Sequence, residues 1–359
     1  MKLPIHSNIR DYDVYFEDSL EFINQFKEIH NSVIIVDRNV YNLYNANFKN
    51  FNLENMLLFD ALEENKTYDY VAKIYDFLIS KSAKRNLTII SIGGGITQDI
   101  TGFVASTLYR GVNWIFVPTT FLAMTDSCVG SKTSLNYGKY KNLIGSFYPP
   151  QKIYINTEFL TTLTKLDFYS GIGETIKFQL MKEEYPKDFS EVIYSINEVI
   201  NNKSYRLEII HDNMNIKLGY MKGDEFDLGR RNLLNYGHCF GHALETSSNY
   251  FVPHGIAVII GIIFANAVAM QRNLISKETF EFLNNNLLVQ NIPLKLEEKH
   301  LDNRILLDAM KNDKKRINQY LTVVIPNQEF KMIKVDDVSD EEFFNSLACI
   351  KQVLIKESI

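Results

Sequence analysis

Short apolar runs at Tyr12–Phe16, Val33–Asp37, Met56–Phe59, Leu87–Ile92, Trp114–Val117 and Lys152–Ile155 punctuate the first 165 residues, with amphipathic stretches between them. The spacing predicts helices over Ser19–Ile29 and over Tyr70–Lys81, where Val71, Ile74, Phe77 and Leu78 share a face. Strands separated by helices argue for a parallel sheet. A ligand site is then expected at the carboxyl ends of the strands. After about Thr164 helical periodicity takes over, at 189–201, 205–221, 235–250, 256–270, 277–288, 302–310 and 340–356, with one strand-like run at Tyr320–Ile325. The expectation is an α/β domain over residues 1–165 and an α-helical domain over residues 166–359.

The Leu87–Ile92 run empties into Gly93-Gly94-Gly95, followed by Ile96-Thr97-Gln98-Asp99 and a helical stretch. Glycines after a strand let the backbone approach a phosphate, which the unpaired N–H groups of the next helix can bind. A tight turn alone would account for a GGG equally well. Two neighbours favour a nucleotide: Asp37 closes VIIVD, where a carboxylate meets a ribose hydroxyl, and Thr119 and Thr120 follow the Trp114–Val117 strand.

Between 126 and 142 the chain reads DSCVGSKTSLNYGKYKN, with Asp126, Lys132, Lys139, Lys141 and Asn142 among small residues. Such a stretch is either a solvated loop or a site for an anionic substrate. Further on, His238, His242 and His254 fall within 17 residues. His238 and His242 at i, i+4 share a helix face, and Pro253 before His254 marks a turn or helix start that can aim a third ring at the same point. A single histidine of this kind is usually a core or cap residue, but the concentration points to metal ligands or substrate contacts. A carboxylate to complete the set is offered by GIGETIKF, where Glu174 and Lys177 lie at i, i+3 among small and apolar neighbours. An ordinary surface ion pair is the alternative there.

A formal charge of −5 on 359 residues argues against a nucleic-acid binder. Cys128, Cys239 and Cys349 are dispersed, with no CxxC, so neither a disulfide framework nor a thiolate zinc site is indicated and a reducing cytoplasmic compartment is expected. MKLPIHSNIR lacks the apolar core of a secretory signal, and the Ile256–Met270 run, broken by Asn266, is short for a membrane span.

With these residues in view, the chain resembles the 3-dehydroquinate synthase family of sugar phosphate cyclases. The resemblance rests on GGGITQDITGFVASTLYRG, PTTFLAMTDSCVGSKTSLN, KNLIGSFYPP, GIGETIKF, RNLLNYGHCFGHALE, PHGIAV and MKNDKK, in family order and spacing. It implies a Rossmann-like domain binding NAD, a helical domain binding a divalent metal, zinc or else cobalt, and a cleft between them. By position, Glu174, His238 and His254 would be the metal ligands. Asp37, Glu63, Lys66, Gly93, Gly94, Gly95, Asp99, Thr119, Thr120, Lys132, Lys141, Asn142 and Thr162 would contact NAD. Arg110, Asp126, Lys132, Asn142, Lys177, Lys217, Arg231, Asn235, His242 and one of Lys314 and Lys315 would meet the substrate. Arg110 resembles an arginine that completes a neighbouring subunit's site, which implies a homodimer. The implied reaction turns 3-deoxy-D-arabino-heptulosonate 7-phosphate into 3-dehydroquinate and phosphate, through transient oxidation, phosphate elimination, re-reduction and aldol closure.

Three positions depart from the family pattern: Ile256 stands where a glutamate is usual, and Gln98 and Ser131 replace glycines. They keep open the alternative of another sugar phosphate cyclase, serving a secondary-metabolite or polysaccharide pathway. A metal-dependent, NAD-linked polyol dehydrogenase is the other alternative, and a non-catalytic NAD-binding scaffold ranks last.

Overall fold

The computed structural model describes residues 1–81, 83–138, 140–184, 187–311 and 320–355, in two compact units, Met1–Leu163 and Thr164–Ile359. Lys139, Lys314 and Lys315 lie outside the described residues.

The first unit contains strands β1 (Lys2–Ile5), β2 (Tyr12–Phe16), β3 (Ser32–Asp37), β4 (Met56–Phe59), β5 (Thr88–Gly93), β6 (Asn113–Pro118), β7 (Lys132–Tyr137), β8 (Tyr140–Phe147) and β9 (Lys152–Ile155), with helices α1 (Arg38–Leu43), α2 (Asn45–Phe48), α3 (Tyr68–Ser80) and α4 (Gly95–Thr107). Seven strands form one sheet in the order β1-β2-β9-β6-β5-β3-β4, parallel except for β1. All of β5, and β3 and β6 apart from their ends, are buried, which explains their continuous apolar runs. The chain runs from β3 outward to β4 and returns to β5 on the other side of β3, so the strand order reverses there. The carboxyl ends flanking that reversal carry Asp37 and the glycine turn.

Leu20–Glu28 is a 3-10 helix where amphipathic spacing suggested an α-helix. Its buried Leu20, Ile23 and Phe26 recur every third residue, the period at which side chains eclipse in the tighter coil. The polar 126–142 stretch is not a solvated loop. It leaves a π turn at Ala123–Ser127 and enters the antiparallel β7–β8 hairpin, whose Thr133 and Leu135 are buried while Lys132 and Tyr137 are exposed.

The second unit contains α5 (Lys165–Met181), α6 (Phe189–Asn201), α7 (Arg206–Met221), α8 (His238–Ser247), α9 (His254–Gln271), α10 (Lys277–Leu283), α11 (Asn303–Lys311) and α12 (Asp340–Leu354), and the antiparallel hairpin of β10 (Leu321–Pro326) and β11 (Met332–Val338). At its centre is α9, buried from Gly255 to Ala269 and touching α5, α8, α12 and β10. It is long and apolar enough to cross a membrane by length and composition, yet 83% of it is buried within the fold, as befits a core helix.

Glycines set how closely these helices approach. A Cβ on Gly173 of α5 would strike the carbonyl of Gly255, and one on Gly255 would strike that of Ser170. One on Gly261 of α9 would strike the carbonyl of Gly237, which precedes α8 with φ at 77°. The backbones of α5 and α9, and of the α8 entry and α9, are therefore in direct contact. Side chains beginning at these crossings, Glu174, His238 and His254, start from nearly touching main chains.

Candidate functional sites

In the second unit, Glu174 is fully buried on α5, and its Oε1 lies 3.1 Å from Nε2 of His254 and 3.3 Å from Nε2 of His238. Its Oε2 is ion-paired with Lys177 at 2.5 Å but finds no hydrogen bond. Burial alone would raise the Glu174 pKa, but the Lys177 ammonium and the His238 imidazole hold the carboxyl well below its ordinary value. The rings of His238, His242 and His254 lie 5.2 to 5.5 Å apart between centroids. Four of the residues singled out in the sequence therefore converge.

Each imidazole facing Glu174 is tethered by its other nitrogen. His254 Nδ1 lies 2.9 Å from Oε2 of Glu245, and His238 Nδ1 lies 3.1 Å from the carbonyl oxygen of Tyr236. A metal-bound histidine is oriented in this way, since a proton held on Nδ1 leaves the Nε2 lone pair for the ion. Burial lowers the His238 pKa. It would lower that of His254 too, but the carboxylates of Glu245 and Glu174 outweigh it and push this imidazole up to about 10. The donor set of one buried carboxylate and two tethered imidazoles fits a divalent cation.

Beside the histidines lies a pocket of about 80 Å³, lined by Asn232, Asn235, His238, Cys239, His242, Met310, Leu321, Thr322, Val324 and Lys334. Asn235 and His242 meet there as expected. Lys217 and Arg231 are buried on α7 and the following 3-10 turn and are not among the described residues lining this pocket. Arg231 donates to the carbonyl of Glu225, and its backbone N–H donates to Asp224 at 2.8 Å.

In the first unit, buried Lys66 reaches Asp99 Oδ2 at 2.5 Å and donates to Asn142 Oδ1 at 2.7 Å. Burial pushes the Asp99 carboxyl up, against the pull of Lys66. Lys141 lies 3.7 Å from Glu63, which accepts from Asn136 at 2.8 Å. Glu63, Lys66, Asp99, Lys141 and Asn142 thus form one polar cluster, joined by Asn136 and by Ser134, which donates to Asn142 at 2.8 Å. The glycine turn ends in α4, whose N-cap Gly94 supplies no capping side chain and leaves the first-turn N–H groups for an anion. A Cβ on Gly94 would press on Thr120.

Asp37 caps α1, accepting from Asn39 N at 2.8 Å, and burial raises its pKa. Thr162 pairs with the Tyr44 hydroxyl at 2.9 Å. Asp126 sits in the π turn and Lys132 opens β7. Arg110 is exposed and, with Tyr109, takes a positive φ, 63° and 52°. Gln98 clasps Ser127, its amide donating to the Ser127 carbonyl and its Oε1 accepting from the hydroxyl, both at 2.6 Å.

Sequence reasoning missed Glu245, Tyr236, Ser134 and Asn136, and the pocket wall formed by Thr322 and Lys334. The acid ending GHALE, 4% exposed on a helix beside two histidines, was the one signal available for Glu245.

A family model described as 3-dehydroquinate synthase N-terminal matches residues 56–170, and one described as 3-dehydroquinate synthase C-terminal matches residues 171–316. The chain is 35% identical over 319 residues to a 3-dehydroquinate synthase of Prochlorococcus marinus (strain AS9601), covering 87% of each. Among solved structures it is similar to a 2-deoxy-scyllo-inosose synthase complexed with carbaglucose-6-phosphate, NAD+ and Co2+, with a TM-score of 0.82, 24% identity, and 98% of this chain and 100% of that one covered. It is also similar to a 2-epi-5-epi-valiolone synthase from Streptomyces hygroscopicus subsp. jinggangensis 5008 with NAD+ and Zn2+ bound, with a TM-score of 0.84, 21% identity, and 97% and 99% covered. These two likenesses speak for the fold. On the matches of the two family models and the identity to the curated relative, the chain belongs to the 3-dehydroquinate synthase family.

Proposed function

We propose that this enzyme converts 3-deoxy-D-arabino-heptulosonate 7-phosphate into 3-dehydroquinate and phosphate, with NAD and a divalent cation as cofactors. Beyond family membership, the observation that carries this is the convergence of Glu174, His238 and His254 through Oε1 and two Nε2 atoms. When bound, NAD+ takes up and returns a hydride, and the cation acts as a Lewis acid at the hydroxyl that is oxidised.

Glu174, His238 and His254 hold the cation. Glu245 and the Tyr236 carbonyl hold the protons on the two Nδ1 atoms and so fix which nitrogens face it. Lys177, ion-paired with Glu174, and the buried Lys217 and Arg231 supply positive charge for a substrate bearing both carboxylate and phosphate. Asn235 orients substrate hydroxyls, and His242 accepts or returns a proton through a ring nitrogen. In the first unit, the α4 N-terminus takes the pyrophosphate, Asp37 the ribose, and the Lys66–Asp99 cluster the remaining polar contacts. Asp126, Lys132 and Asn142 serve the substrate, with Lys314 or Lys315.

Arg110, exposed on a strained turn, is assigned to the neighbouring protomer's site in a cytoplasmic homodimer. Sedimentation of the purified protein tests the dimer. Phosphate release from the heptulosonate, with NAD+ and Zn2+ or Co2+ supplied, tests the activity, and absence of release rejects it. Buried Ile256, where the family usually has a glutamate, favours one second possibility, a cyclase for a different sugar phosphate. Faster turnover of sedoheptulose 7-phosphate or glucose 6-phosphate would select it. Stoichiometric NADH would select a polyol dehydrogenase.

A further inference from the structure

From Gly255 to Ala269 the buried residues of α9 are apolar apart from Asn266. Asn266 is fully buried, its Oδ1 accepts from the Tyr236 hydroxyl at 2.6 Å, and its Nδ2 has no hydrogen-bond partner. A leucine would fill the same space without leaving a donor unsatisfied, so the amide is costly there. Tyr236 is itself fully buried, and a phenylalanine would need no partner. Packing alone therefore does not account for the pair.

Tyr236 is held at both ends. Its hydroxyl is fixed by Asn266, while its carbonyl oxygen lies 3.1 Å from Nδ1 of His238. Gly237 follows in the left-handed region, and the α8 ladder begins from the Gly237 carbonyl, to which Gly241 donates. The Tyr236 carbonyl thus remains outside the helix ladder, turned to the imidazole. We propose that Asn266 is a positioning residue for the metal centre, acting through the Tyr236 ring and carbonyl to orient His238. It rests on the assignment of His238 as a metal ligand.

The test uses the full chain, stripped of metal, as wild type, Asn266→Leu, Tyr236→Phe and the double variant. Zn2+ affinity is read by competition with a chromophoric chelator, and Co2+ geometry by the visible absorption of the loaded protein. Each single variant loosens the Tyr236 carbonyl without removing it, and is expected to bind Zn2+ up to about 10-fold more weakly and to shift the Co2+ bands, short of what loss of the outer-shell partner itself costs. The double variant is expected to be no weaker than the weaker single one, because both changes cut the same tether. Wild-type affinity and an unchanged Co2+ spectrum in Tyr236→Phe, with or without a lowered Tm, would overturn the proposal. Tyr236→Phe removes one oxygen, and it decides the matter should Asn266→Leu fail to fold. A wild type that binds no metal would overturn the metal assignment itself and this inference with it.

Discussion

Oε2 of Glu245 lies 2.9 Å from Nδ1 of His254, whose opposite nitrogen faces Glu174. Glu245 is buried, so solvent does little to screen its charge at that imidazole. Glu245→Gln is expected to weaken Zn2+ binding by about 10- to 100-fold while the fold is retained, as titration against a chelator would measure. An unchanged affinity would remove Glu245 from the ligand system.

Glycine substitutions should separate contact from propensity. Gly173→Ala drives a methyl into the Gly255 carbonyl and is expected to cost about 3 kcal/mol or more. Gly219, exposed on α7 with nothing within 4 Å of its would-be Cβ, should gain about 0.5–1 kcal/mol as alanine. Denaturant midpoints of the two variants should move in opposite directions.

Arg272 reaches Glu342 at 2.6 and 3.1 Å, and Glu342 also closes the capping box with Ser339 at the start of α12. The Arg272 hydrogen bonds hold the Glu342 carboxyl below its ordinary value of 4.5. A depressed carboxylate stabilises the fold above that ordinary value, and the contribution is lost as pH falls through the folded-state pKa. Glu342→Gln should therefore cost about 1 kcal/mol at pH 7, after allowance for the partly exposed site, and the difference from wild type should vanish well below pH 4.5. Urea unfolding across that range checks it.

Ser131 sits in the left-handed region with φ at 65°. Glycine, the usual family residue there, adopts it without strain. Ser131→Gly is expected to change stability by no more than about 1 kcal/mol, the strain relieved being offset by the buried hydroxyl lost and the entropy glycine adds to the unfolded chain, and a thermal melt will show it.

The central sheet was legible because β3, β5 and β6 are buried on both faces, which forces unbroken apolar runs. The β7–β8 hairpin was not, since Thr133 and Leu135 alone of β7 are buried and the rest reads as polar coil. β11 hides similarly, its two buried ends, Met332 and Val338, separated by alternating charges. At the proposed metal centre, the i, i+4 histidines and GIGETIKF announced themselves because helix periodicity translates spacing into proximity. Glu245 and Asn266 did not, because the contacts of Glu245 with His254 and of Asn266 with Tyr236 join separate elements at separations that follow no period. Gln98 looked like a lost glycine, and only its clasp on Ser127 shows a side chain that has taken on a structural task.

Where α5 and α8 meet α9, main chain rests on main chain with no side chain between to absorb a shift. Such a junction has no slack, so the carboxylate and the two imidazoles are carried as a single casting. Anyone retargeting this scaffold to a new sugar should randomise the pocket wall and hold positions 173, 237, 255 and 261 constant, because diversity at those four would be spent on misfolded chains.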